Sequence, residues 1–170
     1  MANELIIPKN KTKPIKYFIV SLLLCILGLL FITTPEWFIR SNNPGVIKIV
    51  GYIFIILFGA FTLMFSQKVF DKQPGMILDN EGFIDNTSGV NTGKVKWKDI
   101  TEIFIKEALD QRFIMLKVKD PNVYMQREKN PLKIRIMNMN NSLYETPINI
   151  SPKGLKISFE ALLRKLKEHT

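Results

Sequence analysis

The sequence is short of the side chains that usually carry chemistry. It holds one cysteine and one histidine in 170 residues. A single cysteine excludes a disulfide within the chain and a metal centre built on several thiolates. Cys25 lies inside an apolar run and reads as a small hydrophobe in a lipid-facing or helix-packing position. His169 is the penultimate residue, and a fraying terminus holds no general base in place. Ser88 has no histidine to activate it. The stretch SGVNTGK, residues 88–94, lacks the GxxxxGK[ST] spacing of a phosphate loop and opens a strand rather than a helix. Asp79, Glu81 and Asp85 fall close together, yet Phe83 stands where a calcium loop wants an oxygen, and no closing glutamate follows. They read as turn residues in water. With no nucleophile, acid–base pair, metal set or cofactor fingerprint, the sequence argues against an enzyme.

A compact basic block is also missing. The net charge is +9, but it is dispersed. Residues 1–16 carry +3, residues 35–48 carry +1, and the rest carries 18 bases among 13 acids. Without clustered Lys and Arg between stacking aromatics, nucleic acid is not an expected partner.

Two long stretches lack charge altogether. YFIVSLLLCILGLLFITT, residues 17–34, and IVGYIFIILFGAFTLMFSQ, residues 49–67, have no Asp, Glu, Lys or Arg over 18 and 19 residues. Crossing the hydrocarbon core takes about 20 mostly apolar residues. Backbone groups in lipid must be paired within the segment, so both runs are expected to be transmembrane helices. ITTPEW after the first run offers no small-residue cleavage site, which argues against a signal peptide. The absence of charge within either run argues against a transporter or proton path.

Basic residues in short flanks set orientation. Lys9, Lys11, Lys13 and Lys16 precede the first span, whereas the loop at 35–48 holds Arg40 and Lys48. The expected layout is a cytoplasmic segment at 1–16, an external loop at 35–48 and a cytoplasmic domain at 68–170. Both termini then lie in the cytoplasm. The four lysines are candidate contacts to an anionic lipid surface. Tyr17 and Trp37 suit the interface, and Pro35, Asn42, Asn43, Pro44 and Gly45 suit a tight connection. Gly28, Gly51 and Gly59 would let the two helices approach closely, although their spacing forms no GxxxG.

Beyond the second run the texture changes to short alternating segments. Strands are expected at 76–79, 82–86, 94–97, 100–106, 112–119, 134–140 (IRIMNMN) and 144–150 (YETPINI). Turns fall at 79–82 and 88–93, and a short helix or excursion at 120–130. Pro147 confines the last strand to an edge or a bulge. In RFIMLKVK, Ile114, Leu116 and Val118 share one side, and Phe113, Met115 and Lys117 the other. Trp97 is read as a core or rim residue of the third strand, and Asp99 as a cap or brace of the turn into residues 100–106. SFEALLRKLKEH closes the chain as an amphipathic helix. Ser158 is its N-cap, Glu160 sits in the first turn, and Phe159, Leu162, Leu163 and Leu166 line one face. Ile157 and Leu162 can form a hydrophobic staple.

The segments ILDNEGFID, GKVKWKDI and FIMLKVKDPNVYM, the closing helix and the opening ELIIPK together carry a resemblance. They resemble small bacterial membrane proteins with two spans followed by a pleckstrin-homology-like (PH-like) domain, the YcxB-like and related group. The resemblance implies a membrane α-helical hairpin plus an α+β domain, with an antiparallel curled sheet or barrel of about seven strands capped by a helix. It implies a non-enzymatic protein of the bacterial inner membrane, presenting a module that binds a protein or a lipid headgroup. Its motifs are packing motifs and supply no cofactor and no site residues. A membrane immunity protein that neutralises a toxin, or an accessory subunit of a membrane complex, remain alternatives. If both termini are cytoplasmic, residues 5–8 are expected to lie along the strand module.

Overall fold

The computed structural model describes residues 4–38, 44–108 and 110–169. Arg40, Asn42 and Asn43, with the loop charge and turn read from them, lie outside the described residues. The chain divides into two compact units. One is Lys11–Lys72. The other joins the residues up to Asn10 with those from Gln73 onward.

The first unit is a pair of helices, α1 (Thr12–Thr33) and α2 (Gly45–Phe70). At 1.5 Å per residue their 22 and 26 residues are about 33 and 39 Å long. Each is long and apolar enough to cross a membrane. They run antiparallel: the Tyr17 ring lies 5.3 Å from Phe65, and Phe31 lies 5.7 Å from Phe54. Small residues line the seam, where Ser21, Gly28 and Gly51 are buried. Thr62 Oγ1 donates to Ser21 Oγ across it at 3.1 Å. Elsewhere the large side chains face outward, with Ile56 74% and Leu63 69% exposed.

The second unit contains seven strands among the described residues, all antiparallel and in chain order. Strands β1 (Leu5–Ile7), β2 (Met76–Leu78), β3 (Gly82–Asp85) and β4 (Lys94–Lys96) form one sheet. Strands β5 (Ile100–Ala108), β6 (Gln111–Val118) and β7 (Asn149–Ile150) form another, with β7 at its edge. Helix α5 (Phe159–Lys167) follows. The segment before the first long helix does join the module. Leu5, Ile6 and Ile7 pair with Leu78, Ile77 and Met76, and Gly75 N donates to Ile7 O at 2.9 Å. Beyond β1, Lys156 N donates to Pro8 O and Asn10 N to Gly154 O.

Burial follows the alternation only in part, since Met115 on the other face of β6 is also buried. Ile114, Leu116 and Val118 of β6 enter a core with Ile7, Leu78, Phe83, Val95, Trp97, Tyr124, Ile150, Leu162 and Leu166. Helix α5 forms as its signals require. The Ser158 hydroxyl accepts from Ala161 N at 3.2 Å, Leu162 and Leu166 are fully buried, and Phe159 and Leu163 pack at the core margin.

Three expectations are corrected. The curled or barrel-like sheet is instead two open sheets. The chain leaves β4 through a 3₁₀ turn, Trp97–Asp99, so no ladder carries β4 into β5. IRIMNMN is not a strand but lies within helix α4 (Pro131–Tyr144). Its start is Asn130-Pro131: the Asn130 side chain accepts from Leu132 N at 3.0 Å, and proline suits the first helical position. YETPINI contributes only Asn149–Ile150 to a strand, because Pro147 has no N–H to give a ladder. The excursion at 120–130 holds a short helix, α3 (Pro121–Met125), started the same way by Asp120 and Pro121.

Candidate functional site

Trp97 sits on the 3₁₀ turn after β4, 7% exposed. Its indole N–H donates to Asp79 O at 2.8 Å. One side of the ring meets Phe83 at 5.4 Å, and the His169 ring stacks on it at 4.7 Å. Asp99 is held from two directions. Its carboxylate accepts from Tyr124 Oη at 2.7 Å, and its carbonyl accepts from Lys119 N at 2.8 Å. Burial, then the bond to Asp99, raises the Tyr124 hydroxyl above its ordinary pKa. These contacts tie the 3₁₀ turn to α3.

Residues 120–130 supply a clamp that sequence reasoning misses. Arg127 donates to Thr92 O and Lys94 O at 2.8 Å each, with its guanidinium 4.6 Å from the Tyr124 ring centre. Glu128, 7% exposed, accepts from Asn91 N at 2.7 Å, Lys129 N at 2.9 Å and Asn130 N at 3.0 Å. Those backbone donors, Asn130 first, hold its carboxyl below the usual range. The loop before β4 is thereby fastened to the segment before α4.

The acidic turn residues divide. The Asp79 carboxylate accepts from Glu81 N and Gly82 N at 2.9 and 3.0 Å. Lys94 Nζ stands 2.8 Å from both Asp79 and Glu81, and its hydrogen bonds depress both carboxyls. Asp85 departs from the reading of a solvated turn residue, since it is 8% exposed. Oδ1 accepts from Thr87 N at 2.8 Å and Thr87 Oγ1 at 2.7 Å, while Oδ2 is buried without a hydrogen-bond partner. Burial pushes this carboxyl up. Among the described residues no three His, Cys, Asp or Glu side chains converge as a metal site would require.

The four candidate lysines are not equivalent. Lys13 and Lys16 are exposed on the first turns of α1, whereas Lys9 and Lys11 are half-buried. Lys9 forms a bridge with Leu155. Lys11 Nζ donates to Val69 O at 2.8 Å and to Asp71 O. It satisfies carbonyls at the end of α2 that the helix itself leaves open.

One open groove of about 550 Å³ runs beside α5. Ile105, Phe159 and Leu163 give it an apolar floor, and Arg112, Arg164 and Lys167 stand on its rim with Glu160 and Glu168. Arg112 lies 4.1 Å over the Phe159 ring and 2.8 Å from Glu160. Such a surface can hold an apolar segment with an acidic end. No protein-family model matches the chain, and no curated protein or solved structure matches it significantly.

Proposed function

We propose that this chain is a non-enzymatic protein of a bacterial inner membrane that presents a PH-like binding module at the cytoplasmic face. One observation carries the membrane part of the reading. The two long helices are apolar around their whole circumference, yet bury only Ser21, Gly28 and Gly51. Helices that expose side chains such as Ile56 and Leu63 have lipid as their solvent. The excess of lysine before α1 supports cytoplasmic termini.

Seven antiparallel strands in chain order, followed by one amphipathic helix, support a PH-like module despite its open sheets. The groove beside α5 is the surface offered to a partner. Alkaline carbonate extraction and a reporter fused at the C-terminus test this reading. The protein stays in the pellet and the reporter is active in the cytoplasm; release by carbonate, or activity outside, refutes it. Crosslinking from native membranes through a photoreactive residue at position 105 captures the partner. Loss of that adduct in Leu163→Asp assigns it to the groove.

A further inference from the structure

Helix α4 carries an exposed apolar stripe. Leu132, Ile136, Met139 and Leu143 are 73%, 49%, 55% and 64% exposed. Their spacing of four, three and four residues places them within an arc of about 60° on a helix of 3.6 residues per turn. Met137, toward the opposite side, is fully buried. The C-terminal end of α4 is fixed over the outer face of β5 and β6, with Lys106 Nζ 5.8 Å from the Tyr144 ring centre and Lys117 bonded to Glu145. An amphipathic helix normally turns such a stripe toward the core. Here the helix has an inner contact and a second, outward apolar line.

The polar residues beside that line include Lys133, Arg135 and Asn140, and α4 contains no acidic residue. Glu128, just before it, is taken up by backbone N–H groups and lies 3.9 Å from Lys133. Glu145, just after it, is paired with Lys117 at 2.6 Å. Arg135 has no ion pair among the described residues.

We propose that this face of α4 docks on an anionic bilayer. The four apolar side chains would reach the acyl boundary, with Lys133 and Arg135 among the headgroups. The proposal rests on reading α1 and α2 as membrane spans. Only residues 71–75 separate α2 from β2, a reach of at most about 18 Å, so a bilayer is always within range of the module. Charge favours lipid over protein: α4 has no acidic residue, and Arg135, with no ion pair among the described residues, matches anionic headgroups.

The test uses the full chain reconstituted in vesicles, with iodide on both sides of the bilayer. One protein carries an environment-sensitive fluorophore on Met139→Cys and a second carries it on Leu63→Cys in α2, both in a Cys25→Ala background. In phosphatidylcholine vesicles containing phosphatidylglycerol, the label at 139 shifts to shorter wavelength, is quenched by doxyl lipids and is protected from iodide. In phosphatidylcholine alone, or with Arg135→Glu, that protection falls. Leu132→Asp with Leu143→Asp abolishes it while circular dichroism is unchanged.

Iodide access at 139 in anionic vesicles, with lipid quenching intact at 63, overturns the docking and leaves the spans standing. Protection at 139 from both iodide and doxyl lipid means that protein covers the face, and also overturns it. Absence of lipid quenching at 63 removes the spans and the docking together.

Discussion

Gly28 and Gly51 meet backbone to backbone between α1 and α2. A Cβ built on Gly28 would stand 2.9 Å from Gly51 O and 2.7 Å from Phe54 Cβ, and one on Gly51 would stand 2.7 Å from Gly28 O. Any side chain at either position must part the helices. In lipid, helix association rests on such close packing and on hydrogen bonds like that between Thr62 and Ser21, because apolar contact with lipid is equally good.

Gly51→Val is therefore expected to lower the temperature at which the detergent-solubilised chain aggregates. Gly59→Ala serves as the control, since its new Cβ meets only Cys25 Sγ at 4.0 Å. Equal midpoints for the two variants would mean that the glycine contact does not hold the pair together.

The first strand makes a second prediction. Ile7 is 4% exposed, whereas Leu5 in the same strand is 38% exposed. Ile7→Ala leaves a cavity in the core and is expected to cost about 2–4 kcal/mol. Leu5→Ala is expected to cost well under about 1 kcal/mol. Urea titration followed by Trp97 fluorescence in a Trp37→Phe background measures both, since Trp97 is buried in the module and Trp37 is 74% exposed. Deleting residues 1–8 should destabilise the module further, and an unchanged midpoint would argue against β1 as a working strand.

A third prediction concerns the Glu128 clamp. Its two carboxylate oxygens accept from three backbone amides. Glu128→Gln replaces one of those oxygens with an amide donor that faces an N–H. The amides of Asn91 and Asn130 should exchange hydrogen faster in the variant, while those of β6 keep their wild-type rates. Uniform acceleration across the module would point to global destabilisation instead of a local clasp.

The parts of this structure that are legible in the sequence are those with one dominant signal. Charge-free runs over residues 17–34 and 49–67 admit little but long apolar helices. Ser158 with Leu162 and Leu166 spells out α5, and Ile114, Leu116 and Val118 announce the inward face of β6. IRIMNMN is ambiguous because Ile134 and Ile136 satisfy a strand period while Leu132, Ile136, Met139 and Leu143 satisfy a helical one. The deciding pair, Asn130-Pro131, lies just outside that window. Arg127, Glu128 and Lys11 are illegible for another reason. Their partners are backbone groups, those of Arg127 and Lys11 and the Asn91 amide of Glu128 far along the chain, and a backbone acceptor or donor leaves no mark in the sequence. Asp85 resembles Asp79 and Glu81 by position, and only the fold decides that it is covered while they meet Lys94.

Asp85 also sets a pH dependence whose sign is fixed. Burial raises its folded-state carboxyl above the ordinary value of 3.8, so the folded chain holds this proton more tightly than the unfolded chain. Stability from this group is complete below 3.8 and is lost as pH rises through the elevated folded value. Asp79, Glu81 and Glu128 are shifted the other way, and their contribution is lost as pH falls, so the wild-type profile alone mixes both trends. Asp85→Asn separates them. The amide keeps an oxygen for the Thr87 N–H and hydroxyl but does not titrate. Its buried NH₂ adds a cost that is independent of pH. The stability of Asp85→Asn relative to wild type should therefore increase steadily as pH rises from the acid side toward neutrality. Unfolding midpoints measured by Trp97 fluorescence across that range check this, and a difference that stays flat would show that the Asp85 carboxylate is solvated when it ionises.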